Sequence, residues 1–290
     1  MEFKSSASVA LPSAGGEWMP RKAIWRPAKA KEYPALGVCV YCGATEGLED
    51  EHILPESLAG DALVLPKSSC RPCASMTSAF EARYTKQSIG IFREVIGAPT
   101  KRPRKRKDNV GLWLADRVDG EIRPLGRKQD WDVDLVPGLY IALTMPLPTI
   151  ISGAENTEAL DCQLWTWGSY DPKFFNGFQV GGSVHIGSIH PESFLRMLAK
   201  IAHCYGIAEL GINAFTPLLL DIIKGDESLS NRLIGCWHEE VPPSDALHEI
   251  HVGWADGERG RLLVCSLRLF CAIGSPRYLI VVGADLVRHD

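Results

Sequence analysis

The sequence predicts an α+β protein in which a small metal-stapled unit precedes a larger domain with a mainly antiparallel sheet. Two Cys-x-x-Cys pairs lie about thirty residues apart in the first hundred residues, which is a strong zinc signal. Short apolar stretches separated by Gly- and Asp-containing turns recur after residue 108 and predict antiparallel strands. Stretches with apolar residues every three or four positions interrupt them and predict helices.

Changes in composition divide the 290 residues into four segments. We expect a flexible leader over residues 1–34 and a compact zinc-stapled unit, here called the front unit, over residues 35–98. A basic linker follows over residues 99–108. Residues 109–290 then form a C-terminal α+β accessory domain, for which the sequence indicates no chemistry.

Composition indicates a soluble protein, because 46% of the residues are apolar and 23% are charged. The apolar runs are too short to span a membrane and no secretory signal follows Met1, so we expect a cytoplasmic location. Charge is uneven along the chain. Residues 1–108 hold 17 basic and 12 acidic side chains, whereas the remainder holds 14 and 23. This asymmetry indicates that only the first part meets a polyanion.

Nine cysteines in a chain without an export signal argue against a disulfide framework. Four thiolates from Cys39, Cys42, Cys70 and Cys73 can hold a structural zinc ion in tetrahedral geometry. The remaining five lie mostly among apolar residues and are expected to be buried thiols: Cys162, Cys204, Cys236, Cys265 and Cys271.

The front unit is predicted to contain two strands and a helix. The strands are Leu48–Leu54 and Leu63–Leu65, with a turn at Ala59–Asp61 between them. The helical pattern begins at Ala74 and ends at Gly97.

The accessory domain is predicted to contain eight strands and two helices. Its first two strands form a hairpin around Val118-Asp119-Gly120. One helix begins at His190-Pro191-Glu192, and a second covers Thr216–Lys224. The predicted strands are Val110–Arg117, Glu121–Leu125, Val136–Met145, Gln163–Trp167, Phe178–Ile186, Leu247–Trp254, Arg261–Ile273 and Arg277–Val282.

A specific order of short motifs occupies about sixty residues of the front unit. They are Cys39-x-x-Cys42, Glu51-His52-Ile53-Leu54-Pro55, Leu58-Ala59-Gly60, Leu63-Val64-Leu65 and Cys70-x-x-Cys73. In this order the sequence resembles the HNH (ββα-metal) endonuclease family, in its four-cysteine zinc form. Each motif alone is weak, but the combination is specific.

The resemblance implies a metal-dependent endonuclease that hydrolyses phosphodiester bonds of DNA, with RNA as a further possible substrate. His52 would be the general base that activates water, and a Mg²⁺ or Mn²⁺ ion would stabilise the leaving oxygen. Glu51 would hold that ion, and Asp50 is a second oxygen donor. On a regular strand Asp50 and His52 share a face, whereas a bend favours Glu51 as the ligand.

Two positions depart from the family pattern. The family's middle Asn would align near Ala62, where Asp61 is the nearest polar neighbour. An Asn commonly follows the last zinc cysteine and completes the catalytic metal site, but this chain has Ala74 there. Glu81, about two helical turns further on, is expected to lie too far away to replace it. The alternative interpretation is therefore a catalytically decayed, zinc-stabilised nucleic-acid-binding protein. A third is a zinc unit that only docks the larger domain.

Basic side chains are the candidates for phosphate binding. Arg83 and Lys86 are three residues apart and share a helix face. The linker adds a run of six cations, namely Lys101, Arg102, Arg104, Lys105, Arg106 and Lys107. The sequence does not indicate an oligomeric state.

Overall fold

The structure is a computed structural model that describes residues 2–10, 31–98, 108–119, 121–157, 159–169, 182–185, 189–237, 239, 241–257 and 260–285. It is a mixed α+β protein whose sheets are mostly antiparallel, as the sequence predicts. Within those ranges, no helix combines the length and the apolar character needed to cross a bilayer.

The strands, in chain order, are β1 (Glu2–Ala10), β2 (Lys31–Glu32), β3 (Leu48–His52), β4 (Leu63–Cys70), β5 (Asn109–Val118), β6 (Glu121–Asp132), β7 (Gly138–Thr144), β8 (Gln163–Ser169), β9 (Gly182–His185), β10 (Thr216–Pro217), β11 (Ile234–Cys236), β12 (Ala246–Gly257), β13 (Gly260–Leu269) and β14 (Arg277–Ala284). The α-helices are α1 (Glu56–Ala59), α2 (Arg71–Ala82), α3 (Gly90–Val95), α4 (Thr149–Ser152), α5 (Pro191–Leu210), α6 (Leu220–Lys224) and α7 (Ser230–Leu233). A π-helical turn (Arg83–Ser88) separates α2 from α3, and a 3₁₀ turn (Cys271–Ile273) precedes β14.

The largest sheet has six antiparallel strands and is centred on β12, β13 and β14. The strands β10 and β11 both pair with β14, and β1 pairs with the outer edge of β12. The segment Glu2–Ala10 lies in the region that we expected to be a flexible leader. It is instead a strand, because the open edge of β12 offers backbone hydrogen bonds that no local sequence pattern reveals.

Three smaller sheets complete the described strands. In the front unit, β4 pairs antiparallel with β3 and parallel with β2, and α2 follows β4 directly. The strands β3 and β4 and the helix α2 follow one another in the predicted order, with the four-residue helix α1 between the two strands. The hairpin of β5 and β6 extends to β9, while β7 and β8 form a separate pair.

Helix α5 is the central element of the core. Fourteen of its twenty residues are buried, as expected for a helix enclosed on all sides. It contacts α2 of the front unit and also the large sheet through β12, β13 and β14. One continuous hydrophobic core runs from Tyr33 to Val282, so the front unit and the large sheet are packed on the same buried side chains.

Three predicted elements differ from the structure or fall partly outside it. The helix predicted over Thr216–Lys224 begins only at Leu220, because Pro217 disfavours helical geometry at Thr216, and both residues pair with β14 instead. Helix α2 begins at Arg71, ahead of the predicted Ala74. In the predicted strand Phe178–Ile186 only Gly182–His185 is described, and the linker lies outside the described residues except for Asp108.

Candidate metal centre and nuclease-like site

The four cysteines of the two Cys-x-x-Cys pairs converge in space. Their Sγ atoms all lie within 4.8 Å of one another, and those of Cys42 and Cys70 are 3.6 Å apart. Four thiolates bound tetrahedrally to zinc at about 2.3 Å would be separated by about 3.8 Å. The cluster therefore has the dimensions to hold a metal ion such as zinc.

Local structure brings these cysteines together. Cys39 and Cys42 lie on a turn in which Gly43 donates to the Cys39 carbonyl, 2.9 Å away, and Gly43 adopts a left-handed φ of 77°. Cys70 ends β4 and caps α2, and Cys73 lies in the first turn of that helix. A metal ion here would tie the turn to the strand–helix junction.

The thiols of the cluster differ in pKa, since burial raises that of Cys73 whereas that of Cys39 is lowered. Burial by itself raises the pKa of Cys39, but hydrogen bonds from the backbone groups of Cys70, Tyr41 and Cys42 outweigh burial and lower the pKa to about 7. A metal ion binds the thiolate and not the thiol. The lowered pKa of Cys39 therefore favours metal binding by this residue near neutral pH.

A bulge decides which acid of the Asp50-Glu51 pair turns inward. Strand pairing jumps from Glu49–Ser69 to Glu51–Leu65, and Lys67 in the bulge has a left-handed φ of 50°. The exposed Asp50 accepts a hydrogen bond from the Lys67 backbone N–H at 3.0 Å, whereas Glu51 is buried. The irregularity thus places Glu51 on the inner side of the strand and Asp50 on the exposed side.

His52 lies at the edge of the front unit with 29% of its side chain exposed. Its Nε2 atom is 2.9 Å from Oδ1 of Asp61, which lies in the turn before β4. An ionised carboxylate only accepts hydrogen bonds, so in a neutral imidazole this contact requires the Nε2–H tautomer and leaves Nδ1 as the acceptor.

The carboxylate of Glu51 is already bound to a cation within the chain. The ammonium nitrogen Nζ of Lys200, on α5, lies 2.8 Å from Oε1 of Glu51 and 2.8 Å from Oε1 of Glu81. It also donates to the carbonyl of His52. Lys200 is completely buried, so α5 brings an ammonium group into the interior of the front unit.

The charges in this cluster depend on one another. Burial lowers the pKa of Lys200, but the carboxylates of Glu51 and Glu81 outweigh it and hold the pKa above its usual range. Burial raises the pKa of Glu81, and Lys200 opposes that effect. Lys200 is therefore a stable cation, and it compensates acids that would otherwise be costly to bury.

The residues of the site do not fit a divalent ion bound at Glu51. Lys200 occupies the space between Glu51 and Glu81, and Ala74 has no ligand atom. Among the described residues, the cysteine cluster is the one place where three or more potential ligands from His, Cys, Asp and Glu converge. The described residues therefore give no support to the expected Mg²⁺ or Mn²⁺ site at Glu51.

The sequence does not predict two members of this cluster, Glu81 and Lys200. We expected Glu81 to lie too far along the helix, but the turns of α2 bring it to the same ammonium group as Glu51. The sequence around Lys200 nevertheless contains a signal for its burial. The residues on either side of it, Leu198, Ala199, Ile201 and Ala202, are apolar, and a buried lysine requires an acidic partner.

The candidate phosphate-binding residues are described only in part. Arg83 and Lys86 lie in the π-helical turn after α2, and both are exposed. The six cations of the linker, residues 101–107, lie outside the described residues.

A separate open cleft of about 890 Å³ lies in the C-terminal half, between β7, β8, β11 and the loop before β14. Trp165, Trp237 and Arg277 are among its lining residues. It includes no residue of the cysteine cluster and none of the Glu51–Lys200 cluster, so it is separate from both. Searches of family models, curated proteins and solved structures found no match for the chain.

Proposed function

We propose that the protein is a zinc-stabilised nucleic-acid-binding protein, built on an HNH-type unit that has lost the metal site for catalysis. The observation that carries this proposal is the pairing of Glu51 with Lys200. A carboxylate that contacts a buried ammonium at 2.8 Å is not available to a catalytic ion at the same oxygen. Ala74 removes a second expected ligand.

Nucleic-acid binding is supported by the distribution of charge. The exposed Arg83 and Lys86 follow the helix that carries Cys73, and the basic linker comes soon after them in sequence. Clustered cations that neutralise phosphates release counterions, which provides affinity without a catalytic ion. DNA is the proposed partner, and the affinity experiment described below includes duplex RNA for comparison.

A metal-dependent endonuclease with His52 as general base is the second candidate. The contact between His52 Nε2 and Asp61 favours it, because this contact leaves Nδ1 as the nitrogen that accepts a proton from water. The side chain of His52 is also more exposed to solvent than those of Glu51, Glu81 and Lys200, so a substrate phosphate can approach it.

Plasmid cleavage separates these two candidates. Zinc-loaded protein is incubated with supercoiled plasmid and Mg²⁺ or Mn²⁺, beside His52→Ala and an EDTA control. We expect no nicking by the wild-type protein. Nicking that disappears in both controls would refute the loss of the metal site and establish the endonuclease.

Salt-dependent affinity tests the binding function. We expect the affinity for duplex DNA to fall steeply between about 50 and 200 mM salt, as for other phosphate-binding proteins. Replacing Lys105, Arg106 and Lys107 with Gln should reduce the slope of log affinity against log salt by up to about 3. The matched control replaces the exposed Arg123, Arg127 and Lys128 of β6 with Gln and should leave the slope unchanged. Duplex RNA is measured in parallel, and equal weak affinity of all variants would contradict the proposal.

A further inference from the structure

The ammonium group of Lys200 lies in a site made of oxygen atoms. Two are carboxylate oxygens, from Glu51 and Glu81, each 2.8 Å from Nζ. The carbonyl oxygens of His52 and Ile53 also accept from it, the second at 3.5 Å. Carboxylate and carbonyl oxygens are the ligands that hard divalent cations prefer.

We propose that Lys200 is the resident cation of the front unit, and that removing its side chain creates a binding site for one hard divalent ion such as Ca²⁺ or Mn²⁺. This inference rests on the proposed function, since it explains why the HNH-type unit lacks a catalytic metal site. The positive charge between the two carboxylates is thus part of the chain itself, as a side chain of α5, and is not supplied by an ion from solution.

Charge and distance both support the exchange. An ammonium between two carboxylates leaves one negative charge uncompensated, whereas a divalent ion would neutralise both. Calcium binds oxygen at about 2.3–2.6 Å, so the two carboxylate oxygens need to move inward by only a few tenths of an ångström. The alternative ion Mg²⁺ requires about 2.0–2.1 Å in octahedral geometry, which fits this arrangement less well.

The site can be reached from solvent once the lysine is shortened. The side chains of Glu81 and His52 are 16% and 29% exposed, whereas Lys200 is fully buried behind them. A Lys200→Ala variant would leave a polar space at this boundary, large enough to admit water and an ion.

Isothermal titration of Ca²⁺ and Mn²⁺ into zinc-loaded full-length protein tests the proposal. We expect no saturable binding by the wild-type protein and one site in Lys200→Ala, with a Kd on the order of 1 mM or tighter. Two matched controls should bind no ion, namely Lys200→Met, which fills the space, and Lys200→Ala/Glu81→Gln, which removes a ligand. The proposal is overturned if Lys200→Ala folds but binds no ion. It is also overturned if the wild-type protein binds an ion at a site that the substitution Glu81→Gln abolishes.

Thermal unfolding keeps the proposal testable if Lys200→Ala folds poorly. Ca²⁺ should raise the Tm of Lys200→Ala in a concentration-dependent manner, because a ligand that binds only the folded state stabilises it. The wild-type Tm should not change. No recovery of fold or Tm by either ion would overturn the proposal.

Failure of this inference is distinguishable from failure of the proposed function. Cation binding reports on Lys200, whereas plasmid cleavage and salt-dependent binding report on the function. Wild-type cleavage that depends on His52 would refute the proposed function whatever Lys200→Ala binds. Absence of an ion site in Lys200→Ala, with intact DNA binding by the wild type, would refute the inference alone.

Discussion

The imidazole of His248, in β12, hydrogen-bonds the carbonyl oxygen of Leu58 in the front unit, 190 residues away in the sequence. The Nε2 atom lies 3.3 Å from that oxygen, and the backbone N–H of Phe270 donates to Nδ1 at 3.1 Å. Both contacts are satisfied only by the neutral ring with its proton on Nε2. This fully buried side chain therefore joins the large sheet to the front unit only while its imidazole is neutral.

Stability should consequently depend on pH through His248. Burial lowers its pKa to about 3, against about 6.5 in an unfolded chain. The unfolded state binds the proton first as the pH falls, so the contribution is complete above about pH 6.5 and is lost as the pH approaches 3. We expect His248 to account for a decrease of about 3 kcal/mol in the free energy of unfolding between pH 6.5 and 4.

Urea unfolding at a series of pH values measures this dependence. His248→Gln removes the titrating group and should show a shallower decrease than the wild-type protein. Buried His203, whose pKa burial lowers to about 4, remains in both proteins and contributes equally. Parallel curves for the two proteins would contradict the role of His248.

The cysteine cluster should bind one zinc ion that the fold requires. Cys70→Ser removes a buried thiolate at the junction of β4 and α2, so we expect loss of zinc and a lower Tm. Structural zinc contributes about 10–16 kcal/mol of apparent binding free energy, and even partial loss should cost several kcal/mol. Metal analysis and thermal unfolding measure both effects. Cys162→Ser, outside the cluster, is the control, and an EDTA-insensitive Tm in the wild type would refute the prediction.

Breaking the Lys200 ion cluster should be costly even where the replacement fits. Lys200→Met keeps most of the volume but leaves Glu51 and Glu81 without their buried cation. We expect a loss of about 3–5 kcal/mol in the free energy of unfolding. Adding Glu51→Gln and Glu81→Gln to this variant should recover part of that loss, because no uncompensated charge then remains. Chemical denaturation measures the wild type and both variants. A triple variant less stable than Lys200→Met would show that the charges are not the cause.

The close approach of β11 to the loop after β7 can be tested at Gly235. A Cβ atom at this position would lie 2.1 Å from the carbonyl oxygen of Pro146 and 2.7 Å from Cδ of Pro148. Because the nearest obstacle is backbone, we expect Gly235→Ala to cost about 3 kcal/mol or more. Gly168→Ala is the matched control in another strand, since its nearest contact is Leu139 Cδ1 at 3.9 Å. Equal stability of the two variants in urea would contradict this packing.

The parts of the fold that the sequence predicts well are those with local signals. The paired cysteines, the hairpin around Asp119 and the start of α5 at Pro191 are each encoded within a few neighbouring residues. The convergence of the four thiols followed from spacing alone. The antiparallel strands of the C-terminal half are likewise predicted by local signals, namely short apolar stretches and the turn residues between them.

What the sequence did not predict depends on residues far apart in the chain. The strand β1 is ordered by the edge of β12, more than 230 positions later. Lys200 donates to His52 across 148 positions, so no window around either residue reveals the pair. Distance along the helix does not predict that Glu81 approaches Glu51, because the cation that both carboxylates contact, Lys200, belongs to α5.

The separation between Lys200 and the acids has a consequence for how the chain is made. Ribosomes add about 5–20 residues per second, so Lys200 is synthesised roughly 7–30 s after His52. The four cysteines are complete by residue 73, whereas the cation that compensates Glu51 and Glu81 arrives only with α5. We therefore expect zinc to be captured early on the nascent chain, and the interior of the front unit to close only after α5 has left the ribosome.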